Sequence, residues 1–138
     1  MARILALDFG LKRTGIAVTD PLQLIASGLT TVATPDLIPF LEQYTKQEEV
    51  ERIVVGEPRQ KDNQPSQVEG AIRAFLSDLE KRLPGIPVSR QDERFTSKMA
   101  AMSMLEGGMK RKKRREKAAL DEISATLILQ SYLSRNIP

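Results

Sequence analysis

Apolar and polar positions change period several times along the 138 residues, and each change marks an element. Arg3-Ile4-Leu5-Ala6-Leu7 reads as a buried strand that stops at Asp8-Phe9-Gly10. A basic turn bounded by glycines follows, Gly10-Leu11-Lys12-Arg13-Thr14-Gly15, and Ile16-Ala17-Val18-Thr19-Asp20 returns as a second strand. The glycines allow the tight reversal, so the two runs form a hairpin with a carboxylate at the end of its first strand. Ala26 to Val32, rich in β-branched residues, supplies a third strand. The period then lengthens: Leu37, Ile38, Leu41 and Tyr44 recur at helical spacing behind Pro35-Asp36, a proline suited to a first turn.

Arg52-Ile53-Val54-Val55-Gly56 is the next buried strand, closed by a polar loop from Glu57 to Pro65. Ser66 is placed to cap a helix whose stripe of Val68, Ile72, Phe75, Leu76, Leu79 and Leu83 ends at Pro84-Gly85. Ile86 to Arg90 predicts an edge strand, because Pro87 cannot donate to a ladder, and it leads into Gln91-Asp92-Glu93-Arg94. Thr96 or Ser97 caps a methionine- and alanine-rich helix running to Glu106 and stopped by Gly107-Gly108. Its Met99, Met102 and Met104 read as packing residues. A basic connector, Lys110 to Arg115, precedes a last helix from about Glu116 to Arg135. That helix is apolar nearly all round from Ile123 to Leu133, which predicts packing between other elements. No repeat or low-complexity linker interrupts the chain. Residues 1–138 therefore read as a single α/β domain: a mixed five-stranded sheet, early antiparallel hairpins and then parallel strands, flanked by helices.

Composition removes whole classes of chemistry. There is no cysteine, which excludes disulfides and thiolate metal sites, and no histidine, which excludes the usual general base, His-dependent triads and imidazole zinc ligands. Carboxylates, lysines, hydroxyls or a hard metal held by oxygen are what remains. With no tryptophan and few other aromatics, a stacking platform for single-stranded bases is unsupported. The N-terminal apolar run is too short for a signal-peptide core, and no window approaches the ~20 apolar residues of a membrane span. A cytoplasmic protein with no membrane partner is expected. Charge is unevenly spread: Lys110 to Lys117 holds seven of the 21 basic residues and one of the 18 acidic ones, so a segment of +6 sits on a body of −3 (14 basic, 17 acidic). Such a block points to a polyanionic partner.

Ligands of sheets flanked by helices gather at the carboxyl ends of strands. Asp8 stands at one such end and Glu93 just beyond another, while Asp121 falls early in the last helix, whose Ala125 and Ile128 keep that face apolar and let it lie close to the sheet. Each acid alone reads as a solvated surface residue. Together, three converging carboxylates would repel one another unless a Mg²⁺ or Mn²⁺ ion restored the charge balance. Asp92 and Glu122 are neighbours that spacing alone does not separate from Glu93 and Asp121.

Four motifs in order, Asp8-Phe9-Gly10-x-Lys12-Arg13-x-Gly15-Ile16-Ala17-Val18, Val54-Val55-Gly56-x-Pro58, Asp92-Glu93-Arg94-Phe95-Thr96-Ser97 and Asp121-x-x-Ser124-Ala125-x-Leu127-Ile128-Leu129-Gln130-x-Tyr132-Leu133, closely resemble the YqgF family. Its members are bacterial proteins described as Holliday junction resolvases and as pre-16S ribosomal RNA nucleases. The resemblance covers almost the whole chain. It implies a ribonuclease H-like fold, metal-dependent phosphodiesterase activity, and an acidic triad of Asp8, Glu93 and Asp121. Two departures are visible: Glu57 stands where a small apolar residue is usual, and Glu122 where a serine or similar small residue is usual. Both add negative charge near a site that has to admit phosphate.

On that reading the nucleophile is water, activated by a divalent ion. In a two-ion site, with the ions ~3.5–4 Å apart, the second ion stabilises the departing oxygen. Asp8 would bridge the ions, with Glu93 and Asp121 completing the set. Lys12, Arg13 and Arg94 are candidates to hold phosphate, and Lys110, Arg111, Lys112, Lys113, Arg114 and Arg115 have the composition of a segment that tracks a nucleic-acid backbone without sequence selectivity. The expected substrate is the 5′ end of the pre-16S ribosomal RNA, with ribosomal particles as further partners; branched DNA is the alternative. A resolvase needs a two-fold dimer, and no coiled-coil seam guarantees one, so a monomer or weak homodimer is expected. The hairpin also resembles the phosphate-binding turn of actin- and sugar-kinase-type enzymes, but these clamp nucleotide between two related lobes and this chain has no repeat. A non-catalytic RNA- or ribosome-binding protein is the third reading, and a metal requirement separates it from a nuclease.

Overall fold

The computed structural model describes residues 2–57, 68–92 and 113–135. In chain order these form β1 (Arg3–Asp8), β2 (Arg13–Thr19), β3 (Ala26–Ala33), a 3₁₀ turn (Thr34–Asp36), α1 (Leu37–Gln47), β4 (Val50–Glu57), α2 (Val68–Arg82), β5 (Val88–Asp92) and α3 (Lys113–Arg135). The five strands make one sheet in the order β3-β2-β1-β4-β5. β1, β2 and β3 pair antiparallel as hairpins, whereas β4 and β5 join parallel to β1. The α/β fold with a mixed sheet is as the sequence predicts.

Alternation along the strands divides the core in two. Leu5, Leu7, Phe9, Ile16, Ile53 and Val55 pack with Leu37 and Leu41 of α1 and Ile72, Phe75 and Leu79 of α2. On the other face Ile4, Ala6, Ala17 and Val54 meet Ala125, Ile128, Leu129 and Tyr132 of α3. β1 lies at the centre and is covered on both faces, which is why it reads as an unbroken apolar run rather than an alternating one. Small residues, Ala6 and Ala17, sit under α3 and let it approach closely.

Three boundaries differ from expectation. β5 begins at Val88, after Pro87, and continues to Asp92; the Pro87 carbonyl already accepts the Ile53 N–H at 3.0 Å. Pro35 belongs to the 3₁₀ turn, and α1 starts behind it. The last helix begins at Lys113 instead of about Glu116, so Lys113, Arg114 and Arg115 belong to its first turn and not to a connector. Lys, Arg, Glu and Ala are all strong helix formers with no breaker among them, and their propensity outweighs the small cost of cations at the positive end of the helix dipole. Among the described residues α3 packs on one face of the sheet and is not sandwiched: Ile123, Leu127 and Leu133 are only half-buried. The predicted Ser66 cap and the Thr96–Glu106 helix lie outside the described residues. No helix among the described residues is long and apolar enough to cross a membrane.

Candidate active site at the carboxyl edge of the sheet

Because β1, β4 and β5 run parallel, their carboxyl ends share one edge of the sheet, to which the antiparallel β2 contributes its first residues. Asp8 ends β1 there, 6 % exposed. It follows Ile4 and Ala6 in the alternation, so it belongs to the face that α3 covers. Across the hairpin it pairs with Gly15. Gly15 in turn lies hard against α3: a methyl group there would overlap the backbone carbonyl and Cβ of Asp121. One glycine is thus the shared neighbour of Asp8 and Asp121, and its missing side chain is what lets the helix seat Asp121 beside the residue that pairs with Asp8.

The basic turn between β1 and β2 is held from outside. Thr34 Oγ1 donates to the Gly10 carbonyl at 2.6 Å, its N–H donates to the Lys12 carbonyl at 3.0 Å, and the hydroxyls of Thr14 and Thr34 are 3.0 Å apart. Gly10 has no room for a side chain against the Arg13 carbonyl. From this braced turn Arg13 donates through Nε to Asp121 Oδ2 at 2.8 Å, with the two side chains 41 % and 19 % exposed. Glu122 lies against Gly28 of β3, which sets it two strands from β1, and its carboxyl is pushed above the usual range first by burial and then by the charge of Asp121.

A second arginine secures the far end of the edge. Arg90 of β5 donates to the carbonyls of Val55 and Gly56 at 3.2 and 2.9 Å and to both oxygens of Glu69 on α2 at 3.0 and 2.9 Å. The Arg90 hydrogen bonds hold the Glu69 carboxyl below its usual range, although burial opposes them. This network ties the last residues of β4 and β5 to α2, in the register Gly56 to Gln91 and Glu57 to Asp92. Glu93 is the next residue in the chain.

Residues 2–135 match the family described as RuvX, Holliday junction resolvase. The chain belongs to the RuvX family. A RuvX relative from Christiangramia forsetii is 64 % identical over 133 residues, covering 96 % of this chain and 98 % of its own, and one from Phocaeicola vulgatus is 57 % identical with 96 % of each covered. Both carry the name "Putative pre-16S rRNA nuclease". Thermus thermophilus RuvC, solved with a Holliday junction substrate, superposes with a TM-score of 0.54 over 98 % of this chain and 96 % of that one. At 16 % identity this likeness speaks for the fold alone: the RuvX chain has the RuvC-like, ribonuclease H-like architecture that the motifs imply.

Of the candidate site residues in this RuvX chain, the structure brings together Asp8, Asp121, Arg13 and the turn carrying Lys12. Glu93, Arg94, Lys110, Arg111 and Lys112 lie outside the described residues, as do the side chains of Asp92, Lys113, Arg114 and Arg115. Among the described residues no three carboxylates form a ready metal cluster. Sequence reasoning missed Thr14, Thr34, Glu69 and Arg90. For the last pair the available signal was spacing: Glu69 stands three residues before Ile72, in line with the apolar stripe of α2, where a charge demands a cation.

Proposed function

We propose that this chain is a divalent-metal-dependent phosphodiesterase that processes the 5′ end of pre-16S ribosomal RNA, with Asp8, Glu93 and Asp121 as metal ligands. Two RuvX relatives so named, at 64 % and 57 % identity over nearly their whole length, support the activity. The observation that carries the site is the convergence of Asp8 and Asp121 on Gly15 at the strand-end edge. The donor set fits a hard cation: it is all oxygen, in a chain without histidine or cysteine, and a cationic guanidinium already sits on Asp121. Bound there, one or two Mg²⁺ or Mn²⁺ ions would supply Lewis acidity toward water and the leaving oxygen.

The chain's own groups do the rest. Asp8 is fixed by the β1–β2 ladder, and Asp121 by the seat of α3 on Gly15. Glu93, the residue that follows β5 in the chain, would be the third ligand, and Arg90 ties the end of that strand to β4 and α2. Lys12, in the braced turn, offers its ammonium to a phosphate beside the cluster, and Arg13 and Arg94 are the guanidinium candidates for the same role. α3 extends beyond Asp121 toward its N-terminus, so Lys113 begins the helix about 12 Å further along the axis. The basic run Lys110 to Arg115, close before Asp121 in sequence, would supply attraction for a polyanionic backbone.

The test is cleavage by purified protein of a pre-16S RNA bearing its 5′ extension and of a four-way DNA junction, at matched salt with Mg²⁺. Mg²⁺-dependent cleavage of the RNA is expected. Selective cutting of the junction would replace this substrate with branched DNA, and binding without turnover would make the protein a non-catalytic RNA-binding member of the family.

A further inference from the structure

The ion pair between Arg13 and Asp121 sets a proposed metal ligand against a proposed phosphate ligand. A carboxylate cannot fully serve a guanidinium and a divalent cation at once. The pair is also built to open. It uses a single hydrogen bond, through Nε, and Nε is the sole side-chain nitrogen of Arg13 with a partner among the described residues. Arg13 is 41 % exposed, so its guanidinium can swing into water at little cost. Its backbone, by contrast, is held by the paired start of β2 and by the Thr34 contacts to the turn.

We propose that Arg13 is a stand-in cation. Without metal, its guanidinium neutralises Asp121 and keeps that carboxylate turned toward Gly15 and the end of β1. When a divalent ion takes the carboxylate, Arg13 is released beside it and becomes available to a substrate phosphate. Arg suits this exchange better than Lys. Its planar fork matches a carboxylate and a phosphate alike, and it stays charged throughout. Metal loading and phosphate capture would thereby be coupled: the ion that completes the site also frees the residue that grips the substrate. Arg13 is then a substrate-binding residue whose deletion has opposite effects on the two ligands. Metal should bind more tightly and nucleic acid less tightly.

The inference rests on the metal-ligand reading of Asp8 and Asp121, and the experiment separates the two. Mn²⁺ binding is titrated calorimetrically into the full chain and its Arg13→Gln, Arg13→Lys, Lys12→Gln, Asp8→Asn and Asp121→Asn variants, and the Arg13 Nε–H resonance is followed by NMR as Mg²⁺ is added. Arg13→Gln is expected to bind Mn²⁺ roughly two- to fivefold more tightly than wild type. Arg13→Lys should fall between them, and Lys12→Gln, which removes the same charge one residue away, should change affinity less. The Arg13 resonance should move as Mg²⁺ saturates and move again when a non-hydrolysable phosphorothioate oligonucleotide is added. Unchanged or weaker Mn²⁺ binding by Arg13→Gln, or an Arg13 resonance indifferent to Mg²⁺, overturns the stand-in role. Wild-type Mn²⁺ affinity in both Asp8→Asn and Asp121→Asn would instead remove the metal site itself, and the stand-in role with it.

Discussion

Two arginine–carboxylate pairs stand at the same edge of the sheet on opposite faces, and they are built in opposite ways. Arg90 and Glu69 are 23 % and 7 % exposed, and the arginine divides its donors between the carboxylate and two strand-end carbonyls. Arg13 and Asp121 meet through one bond and are 41 % and 19 % exposed. The first pair is multiply bonded around a buried carboxylate, with Arg73 adding a 3.3 Å contact to that same group, so it acts as a fastening. The second faces solvent, where water, a metal or a phosphate can replace either member. Burial and the number of bonds, rather than the kind of residue, separate scaffold from site.

Neutralising each carboxylate in turn should break the comparison most visibly. Asp8→Asn and Asp121→Asn are expected to lower cleavage about a thousandfold, equivalent to ~4 kcal/mol of transition-state stabilisation, while melting near the wild-type temperature. Cleavage assays alongside calorimetry check this, and wild-type turnover in Asp8→Asn would remove that residue from the site. Glu69→Ala should do the reverse. Removing one member of a buried pair costs about 3 kcal/mol of stability, seen as a lower denaturant midpoint. Because the folded-state pKa of Glu69 is lowered, its contribution is present above the unfolded value of 4.5 and fades as pH falls through the folded value. The gap between wild type and variant should therefore narrow in acid. A gap that stayed constant with pH would mean that the loss comes from packing and not from the ion pair.

A smaller effect is expected where the site meets its scaffold. Gly15→Ala drives a methyl group into the Asp121 backbone and should cost about 2 kcal/mol as α3 lifts from β2, with cleavage falling as Asp121 leaves Asp8. Gly28→Ala is the control, since its methyl would meet Glu122 and Thr126 at 3.4 to 3.5 Å and so needs little adjustment. Equal losses at the two glycines would deny Gly15 its special place.

The legible part of this molecule was whatever local pattern determines. The β1–β2 hairpin, the stripe of α2, the edge position of β5 and the strand-end place of Asp8 all follow from period, glycine and proline. What escaped depends on partners distant in the chain. Arg13 and Asp121 are 108 residues apart, so Arg13 read as a phosphate ligand on a turn and not as the partner of Asp121. Glu69 carries no local mark of its partner, because Arg90 lies 21 residues on. The start of α3 was misplaced because a run of like charge suggests a solvated connector, although the same residues are good helix formers. Gly15 was read for its conformational freedom, yet the closeness of α3 is an equally strong demand on it.

Glu122 supplies the smallest and most discriminating test, because it is half-buried where Glu69 is buried and has no arginine partner among the described residues. Burial first, and the Asp121 charge second, raise its pKa above 4.5. Between 4.5 and that raised value the folded protein holds a proton that the unfolded chain has released, so stability falls as pH rises through this window. Below the window neither state is charged at this position, and above it the folded state carries the full penalty. Glu122→Gln should therefore melt with wild type in acid and slightly above it at pH 7, by roughly 0.3 kcal/mol after screening by solvent. A variant less stable than wild type at pH 7 would show that the carboxylate has a cationic partner after all. Glu122 would then belong with Glu69 as a fastening, and the contrast between paired and unpaired burial at this edge would fail.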